Sequence, residues 1–465
     1  VISRLSIATI AVFAALAFVI PAFGADHARP NVILVMADDM GWTQTGYYGH
    51  PLLNTPHLDE MARNGLRLDR FYAGAPSCTP TRASVLTGRN NDRTGAKRVG
   101  DCINKQEKML STAFRNAGYV TAHFGKWHLN TVDLPDEDPL PKSDPHNPGE
   151  LGFDYWLSHT QEFNLDPILS RNGTPEQFSG DSSEVLVEEA LQFIQRESNR
   201  DKPLFVVIWY SSPHRIFEAS EADAAPFASL DPGSAAHHGE LVAMDRSIGT
   251  LRKGLRDLDI ADDTLVWFKN DNGGLPNIDY DEDHLGVHPD TTGHLRGFKK
   301  DFYEGGLRVP AIIEWPGTIQ PRVSNYPSST MDIFPTLIEI AGLDPNDINA
   351  VHDGISIAEV LESEPARRLE PIGFRASGGL AWLDNDYKLV RNFYPRDAKF
   401  ELYNLIGDPI EEQDLMAQKP EIAARMMEQL EAWNRSVDKS MTGADYPEGK
   451  VLPTGRAKAG STKNP

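Results

Sequence analysis

The sequence predicts an α/β fold: a large, mainly parallel central sheet flanked by helices, followed by a smaller C-terminal antiparallel sheet with one helix. Three observations lead there. Continuous apolar runs at Asn31–Ala37, Tyr119–Phe124, Leu204–Tyr210 and Thr264–Lys269 read as strands buried on both faces. Amphipathic helical stripes lie between these runs, the alternation expected of parallel strands joined by crossover helices. After Ala366 the pattern changes to short alternating segments, which suits antiparallel strands.

The first strand is bounded by Pro30 and Asp38. Ahead of the second run, Leu110, Ala113, Phe114 and Ala117 recur at i, i+3, i+4 and i+7, and Gly118 fits the position just past that helix. Asp181 stands three residues before Glu184, a capping-box arrangement, and Val187, Ala190, Leu191 and Ile194 continue it as one stripe. Leu241, Met244, Ile248, Leu251, Leu255 and Leu258 form another. Val309–Trp315 then reads as a strand and Asp332–Gly342 as a helix. Gly379–Leu383, Tyr387–Phe393 and Lys399–Asn404 make the small sheet, and Pro420–Asn434 its helix. These assignments divide the chain into a main domain over 25–365, a subdomain over 366–445 and a loose tail over 446–465.

The chain has 465 residues, 45 Lys+Arg against 67 Asp+Glu and a net charge of −22. With 40% hydrophobic and 24% charged residues it has ordinary globular composition. Its acidity argues against a nucleic-acid partner, which calls for basic stripes, but leaves room for a small anion where positive groups gather locally. Two cysteines, Cys78 and Cys102, exclude a disulfide framework. Residues 1–24 carry Arg4, an apolar run from Leu5 to Ile20, and small residues at Ala22 and Gly24. That is the pattern of a secretory signal cleaved before Ala25, with an apolar run shorter than the ~20 residues of a membrane span. It predicts a secreted or periplasmic protein with no membrane span once mature.

The chemistry gathers where the buried strands end. Asn31–Ala37 leads into Asp38-Asp39, and Tyr119–Phe124 into Gly125-Lys126-Trp127-His128. Leu204–Tyr210 leads into Ser211-Ser212-Pro213-His214, and Thr264–Lys269 into Asn270-Asp271-Asn272-Gly273. Open α/β sheets bind ligands outside the carboxyl ends of their strands, so parallel strands bring these clusters to one rim. Asp38, Asp39 and Asp271 with the Asn272 carbonyl oxygen form an all-oxygen set, suited to a hard divalent cation, Ca2+ ahead of Mg2+, and unsuited to zinc. In Ser77-Cys78-Thr79-Pro80-Thr81-Arg82, Pro80 suits the first turn of a helix. Cys78 then sits at the helix N-terminus, where backbone N–H groups attract anions, and Arg82 lies one turn further in. A buried structural cysteine and a plain thiolate nucleophile are the other readings of Cys78.

Taken together, Cys78, Pro80, Arg82 and Thr87-Gly88-Arg89 reproduce the signature of the formylglycine-dependent type I sulfatases of the alkaline phosphatase superfamily, which this sequence resembles. Asn31–Asp39, Gly125–His128, Ser212–His214, Asp271–Gly273 and the stretch from Leu295 to Pro310 match further landmarks of that family in order, and the resemblance runs from Arg29 to Asp414. It implies that a separate formylglycine-generating enzyme oxidises Cys78 to Cα-formylglycine, whose hydrate is the nucleophile. It implies that Asp38, Asp39, Asp271 and Asn272 hold Ca2+, which also touches the nucleophile at position 78. Arg82 would hold the diol in its ionised form, and Lys126 and Lys299 would contact the sulfate. His214, with Lys299, would protonate the leaving oxygen, and His128 would take the proton of the second hydroxyl so that sulfate leaves by C–O cleavage. Ser158 is a candidate for a serine that some members place near the sulfate.

His284, His288 and His294 lie in a polar stretch just before Lys299, where they are candidates for binding sugar hydroxyls, and Trp156, Phe163 and Asn164 make a second candidate substrate loop. The expected substrate is a sulfated carbohydrate. The competing readings are a phosphonate monoester or phosphodiester hydrolase of the same superfamily and a non-catalytic glycan-binding homologue.

Overall fold

The computed structural model describes residues 29–130, 139–276 and 291–453. Its strands are β1 (Asn31–Ala37), β2 (Leu66–Leu68), β3 (Phe71–Tyr72), β4 (Val120–Lys126), β5 (Tyr155–His159), β6 (Ile168–Arg171), β7 (Thr174–Gln177), β8 (Leu204–Trp209), β9 (Thr264–Asn270), β10 (Ala311–Glu314), β11 (Arg322–Ser324), β12 (Ser328–Ser329), β13 (Ile372–Ala376), β14 (Gly379–Asp384), β15 (Tyr387–Arg391) and β16 (Glu401–Asn404). Ten of them form one sheet in the order β11-β2-β10-β9-β1-β8-β4-β5-β6-β7. Its centre, β9-β1-β8-β4-β5, is parallel, as the apolar runs predict. The antiparallel strands β10, β6 and β7 and the short β2 and β11 extend it at both sides.

Strand geometry splits the core in two. Successive side chains point to opposite faces, so Val32, Leu34 and Met36 of β1 join one buried cluster and Ile33, Val35 and Ala37 the other. The helices Cys78–Thr87, Leu110–Asn116 and Ile333–Ala341 cover the first face. Ser182–Glu197 and Pro232–Asp257 cover the second, together with Pro56–Asn64. Asp181 caps its helix as expected, accepting from the Ser183 and Glu184 amides at 2.8 and 3.3 Å. The predicted capping box is not formed there, because the Glu184 carboxylate bonds Arg246 at 2.6 Å instead of reaching back. The reciprocal box occurs at Ser329 and Asp332, ahead of the helix Ile333–Ala341.

The small sheet runs β13-β14-β15-β16, all antiparallel. One face packs Trp382, Leu389 and Leu402 against Ala423, Met426 and Leu430 of the terminal helix, which continues to Met441. The other packs Phe374, Leu383 and Val390 against Tyr72, Phe302 and Leu307 of the main domain. Tyr446, which the composition assigns to a loose tail, is buried: its hydroxyl accepts from Asn104 at 2.9 Å and donates to Glu107. Among the described residues, no helix is long and apolar enough to cross a membrane. Residues 1–24 lie outside the described residues.

Candidate active site

The parallel centre of the sheet brings the polar clusters to one rim, and backbone hydrogen bonds continue past the strand ends to lock them there. Asp38 N donates to Ser212 O at 3.0 Å, Asp271 N to Ala37 O at 3.2 Å and Trp127 N to His159 O at 2.9 Å. Because β10 is antiparallel to β9, the chain entering it passes the same rim and carries Lys299 with it. Lys299 N donates to Gly274 O at 2.9 Å, and Lys300 N to Pro76 O at 2.8 Å, two residues from Cys78. This approach requires glycine at 273, where an added Cβ would lie 1.8 Å from Gly305 O.

Cys78 opens the helix Cys78–Thr87, every residue of which is buried, with Gly88 in the left-handed region at its end. Ligand atoms of Asp38, Cys78 and His214 lie within 4.8 Å of one another, as do those of Asp38, Asp39 and Asp271. Around them the cations converge. Asp38 Oδ2 accepts from Arg82 Nη2 at 2.8 Å and pairs with Lys126 Nζ at 2.6 Å. Asp39 Oδ2 lies 2.7 Å from Lys299 Nζ and 3.4 Å from His214 Nε2. Asp271 Oδ2 is 3.4 Å from Arg82, and Asn272 Nδ2 donates to Asp39 Oδ1 at 2.7 Å. The sequence-predicted nucleophile, ligands, Arg82, both lysines and His214 thus meet in one place.

Burial sets the electrostatics. It raises Asp38, but Lys126, His214, Arg82 and Lys299 outweigh it and hold that carboxyl well below the usual range. Burial and the neighbouring Asp38 charge push Asp271 up. Burial drives the Cys78 thiol up to about 12 against the pull of Lys299 and Lys126, so the unmodified thiol is protonated at neutral pH. His128 is fully buried; burial and Lys126 keep it neutral, and neither ring nitrogen has a hydrogen-bond partner among the described residues. His214 Nδ1 lies 2.6 Å from the Arg215 carbonyl, which can only accept, so Nδ1 carries a proton and Nε2 faces Asp39.

A hard cation fits this donor set. Asp38 Oδ1 and Asn272 Oδ1 are buried with no hydrogen-bond partner among the described residues. Orphaned buried oxygens cost about 1–3 kcal/mol each. Two such atoms beside three clustered carboxylates are what a resident divalent ion would satisfy, and the oxygen-only set favours Ca2+ or Mg2+.

Other expectations fare differently. Ser158 lies on β5 with its Oγ 2.8 Å from His123 Nδ1, in a pocket of Trp127, Phe153 and Trp209 rings around His123, so it serves the core. Trp156 is likewise a core residue, and Phe163 is buried on the other face of the sheet. His294 is exposed and packs edge-on to Trp42, with ring centroids 5.9 Å apart. His284 and His288 lie outside the described residues. One residue at the rim escaped the motifs. Glu162, just past β5, places Oε1 2.9 Å from Lys126 Nζ and 3.5 Å from His214 Nδ1. The strand-end rule points to it, but Tyr155–His159 lacks the continuous apolar run that marks the other parallel strands.

Comparison with known proteins agrees with this geometry. The Sulfatase family profile matches residues 30–343. Human N-acetylgalactosamine-6-sulfatase is 33% identical over 370 residues, 71% of this chain and 66% of that protein. Bovine arylsulfatase A is 31% identical over 366 residues, 71% of this chain and 68% of that protein. The solved structure of Ps i-CgsB in complex with k-i-k-neocarrahexaose superposes with a TM-score of 0.76 at 24% identity, covering 87% of this chain and 93% of that one. The chain spans about 66% of the length of the human relative. A profile match over most of the main domain, on a fold whose rim assembles the signature residues, makes this chain a member of the sulfatase family.

Proposed function

We propose that this protein hydrolyses sulfate esters, specifically those of a sulfated carbohydrate, using a nucleophile made from Cys78 and a bound divalent cation, Ca2+ ahead of Mg2+. The observation that carries the reading is the convergence of Cys78, Asp38 and His214 within 4.8 Å, inside a ring of buried lysines and an arginine. A thiol pushed up to about 12 is a poor nucleophile, which weighs against a plain thiolate and supports a formylglycine made at Cys78 by a separate maturing enzyme. The cation, when bound, would supply Lewis-acid polarisation of the sulfuryl oxygens and charge for the nucleophile.

The chain's own residues would do the rest. Lys126 and Lys299 are placed to bind the sulfate oxygens and to offset the charge that builds on them in the transition state. Arg82, held by Asp38 and by the Lys126 carbonyl at 2.8 Å, is fixed beside residue 78. Burial, Lys126 and Lys299 lower the proton affinity of His214 against the pull of Asp39, so a proton held at its Nε2 is readily given up to the leaving oxygen. His128, held neutral, is the base for the second hydroxyl at position 78, the one that does not attack sulfur. The local cations reconcile an anionic substrate with a net charge of −22. The sugar assignment is supported by relatives named for an N-acetylgalactosamine sulfate. The sequence pattern of residues 1–24 supports export.

The test is sulfate release from defined sulfated saccharides and an aryl sulfate, with a matched aryl phosphonate ester in parallel. Turnover of the sulfates is expected. Strong preference for the phosphonate, or tight glycan binding without sulfate release by mature, metal-loaded protein, contradicts the proposal.

A further inference from the structure

Glu162 occupies a position that the sulfatase chemistry leaves unexplained. Its loop is fixed on both sides: His128 N donates to Thr160 O at 2.9 Å, and Phe163 N donates to Ser211 Oγ at 2.9 Å. The side chain is 26% exposed, against 0% for Lys126, 11% for Lys299 and 18% for His214, so it stands nearest the mouth of the site. Oε1 accepts from Lys126 Nζ at 2.9 Å and lies 3.5 Å from His214 Nδ1, while Oε2 has no partner among the described residues. Burial raises this carboxyl, but neighbouring positive charge, that of Lys126 foremost, outweighs it and keeps it ionised.

A counter-ion role alone does not account for it. Lys126 already has Asp38 at 2.6 Å, and a second carboxylate beside an anion-binding lysine opposes a sulfate ester. Such a group is tolerable where the substrate brings a donor to it. Standing between Lys126, placed to bind the sulfate, and the Nδ1 side of His214, whose Nε2 serves the leaving oxygen, this carboxylate borders the part of the site that receives the alcohol.

Building on the proposed sulfatase activity, we infer that Glu162 is a specificity-determining residue: its free carboxylate oxygen accepts a hydrogen bond from a hydroxyl or amide N–H next to the sulfated carbon. The same charge turns away substrates that carry a second anion at that neighbour. The preferred substrate is a sugar sulfate with a neutral donor beside the ester.

The experiment uses the mature, metal-loaded protein and the monosulfated glycoside it turns over fastest. That substrate is compared with its analogue deoxygenated at the neighbouring carbon and with its vicinal disulfate. Wild-type kcat/KM is expected to fall about 10- to 100-fold for the deoxy analogue, the effect of leaving a charged acceptor unmatched, and further for the disulfate. In Glu162→Gln the penalty against the disulfate shrinks at least tenfold, and in Glu162→Ala both penalties shrink. A wild-type enzyme that accepts the deoxy or disulfated compound as readily as the parent overturns the assignment, and this needs no folded variant. So do variants that lower kcat/KM for all three substrates by one common factor. Wild-type protein that releases sulfate from none of them, nor from an aryl sulfate, contradicts the sulfatase reading itself.

Discussion

Two buried arginine–aspartate pairs, alike in chemistry, behave differently in this molecule. Arg368 grips Asp332 through both guanidinium nitrogens at 2.7 and 2.8 Å, while its Nε donates to Glu370 O. Asp332 also accepts from the Ser329 and Ile355 amides at 2.7 and 2.8 Å, so its carboxylate is saturated. Arg82 reaches Asp38 by one nitrogen, and both Arg82 Nε and Asp38 Oδ1 lack partners among the described residues. A saturated pair fastens the C-terminal segment to the main domain. An unsaturated pair, crowded by Asp271 and Lys126, is held in place for something else to complete.

Substitutions test that contrast. The largest effect is expected at the rim: Cys78→Ala should reduce sulfate release by about a thousandfold or more, with an unchanged unfolding midpoint. Asp271→Asn should lower turnover by about a hundredfold or more while leaving metal-free stability equal or raised, since burial and the neighbouring Asp38 already disfavour its charge. Thermal unfolding beside a sulfate-release assay separates the two readouts, and a large loss of stability in Asp271→Asn would erase the distinction. Arg368→Ala should do the reverse. It leaves Asp332 buried and uncompensated, a loss of about 3–5 kcal/mol by chemical denaturation, while the fraction that stays folded keeps its kcat.

Metal binding sharpens the comparison further. Ca2+ at about a hundred times its Kd should stabilise the wild-type protein by about 2.7 kcal/mol. The same addition should do little for Asp271→Asn and should leave the Arg368→Ala deficit in place. The smallest effect concerns reactivity. With its thiol pushed up to about 12, unmodified Cys78 should be alkylated by iodoacetamide far more slowly than the partly exposed Cys102 between pH 7 and 9. Equal rates would show the thiol to be more accessible and more acidic than its surroundings allow.

What the sequence made legible follows the same physics. Strands buried on both faces announce themselves as apolar runs, so β1, β4, β8 and β9 and the polar groups at their ends could be read directly. β5 could not be, because it continues into an antiparallel edge and mixes Tyr155, Ser158 and His159 with its apolar residues. Glu162, which depends on that strand, was therefore hidden. Ser158 misled for a related reason: residue type and spacing cannot tell which face of a strand a side chain occupies, and Ser158 turns to His123. The burial of Tyr446 rests on contacts with Asn104 and Glu107 more than 300 residues away, which no local pattern records.

Mass spectrometry of the peptide spanning Ser77–Arg82, taken from protein whose sulfate release has been measured, tests the origin of the nucleophile most directly. Active protein should carry the aldehyde or its hydrate at position 78, with activity proportional to the converted fraction. Fully active protein in which Cys78 remains a thiol would contradict the account.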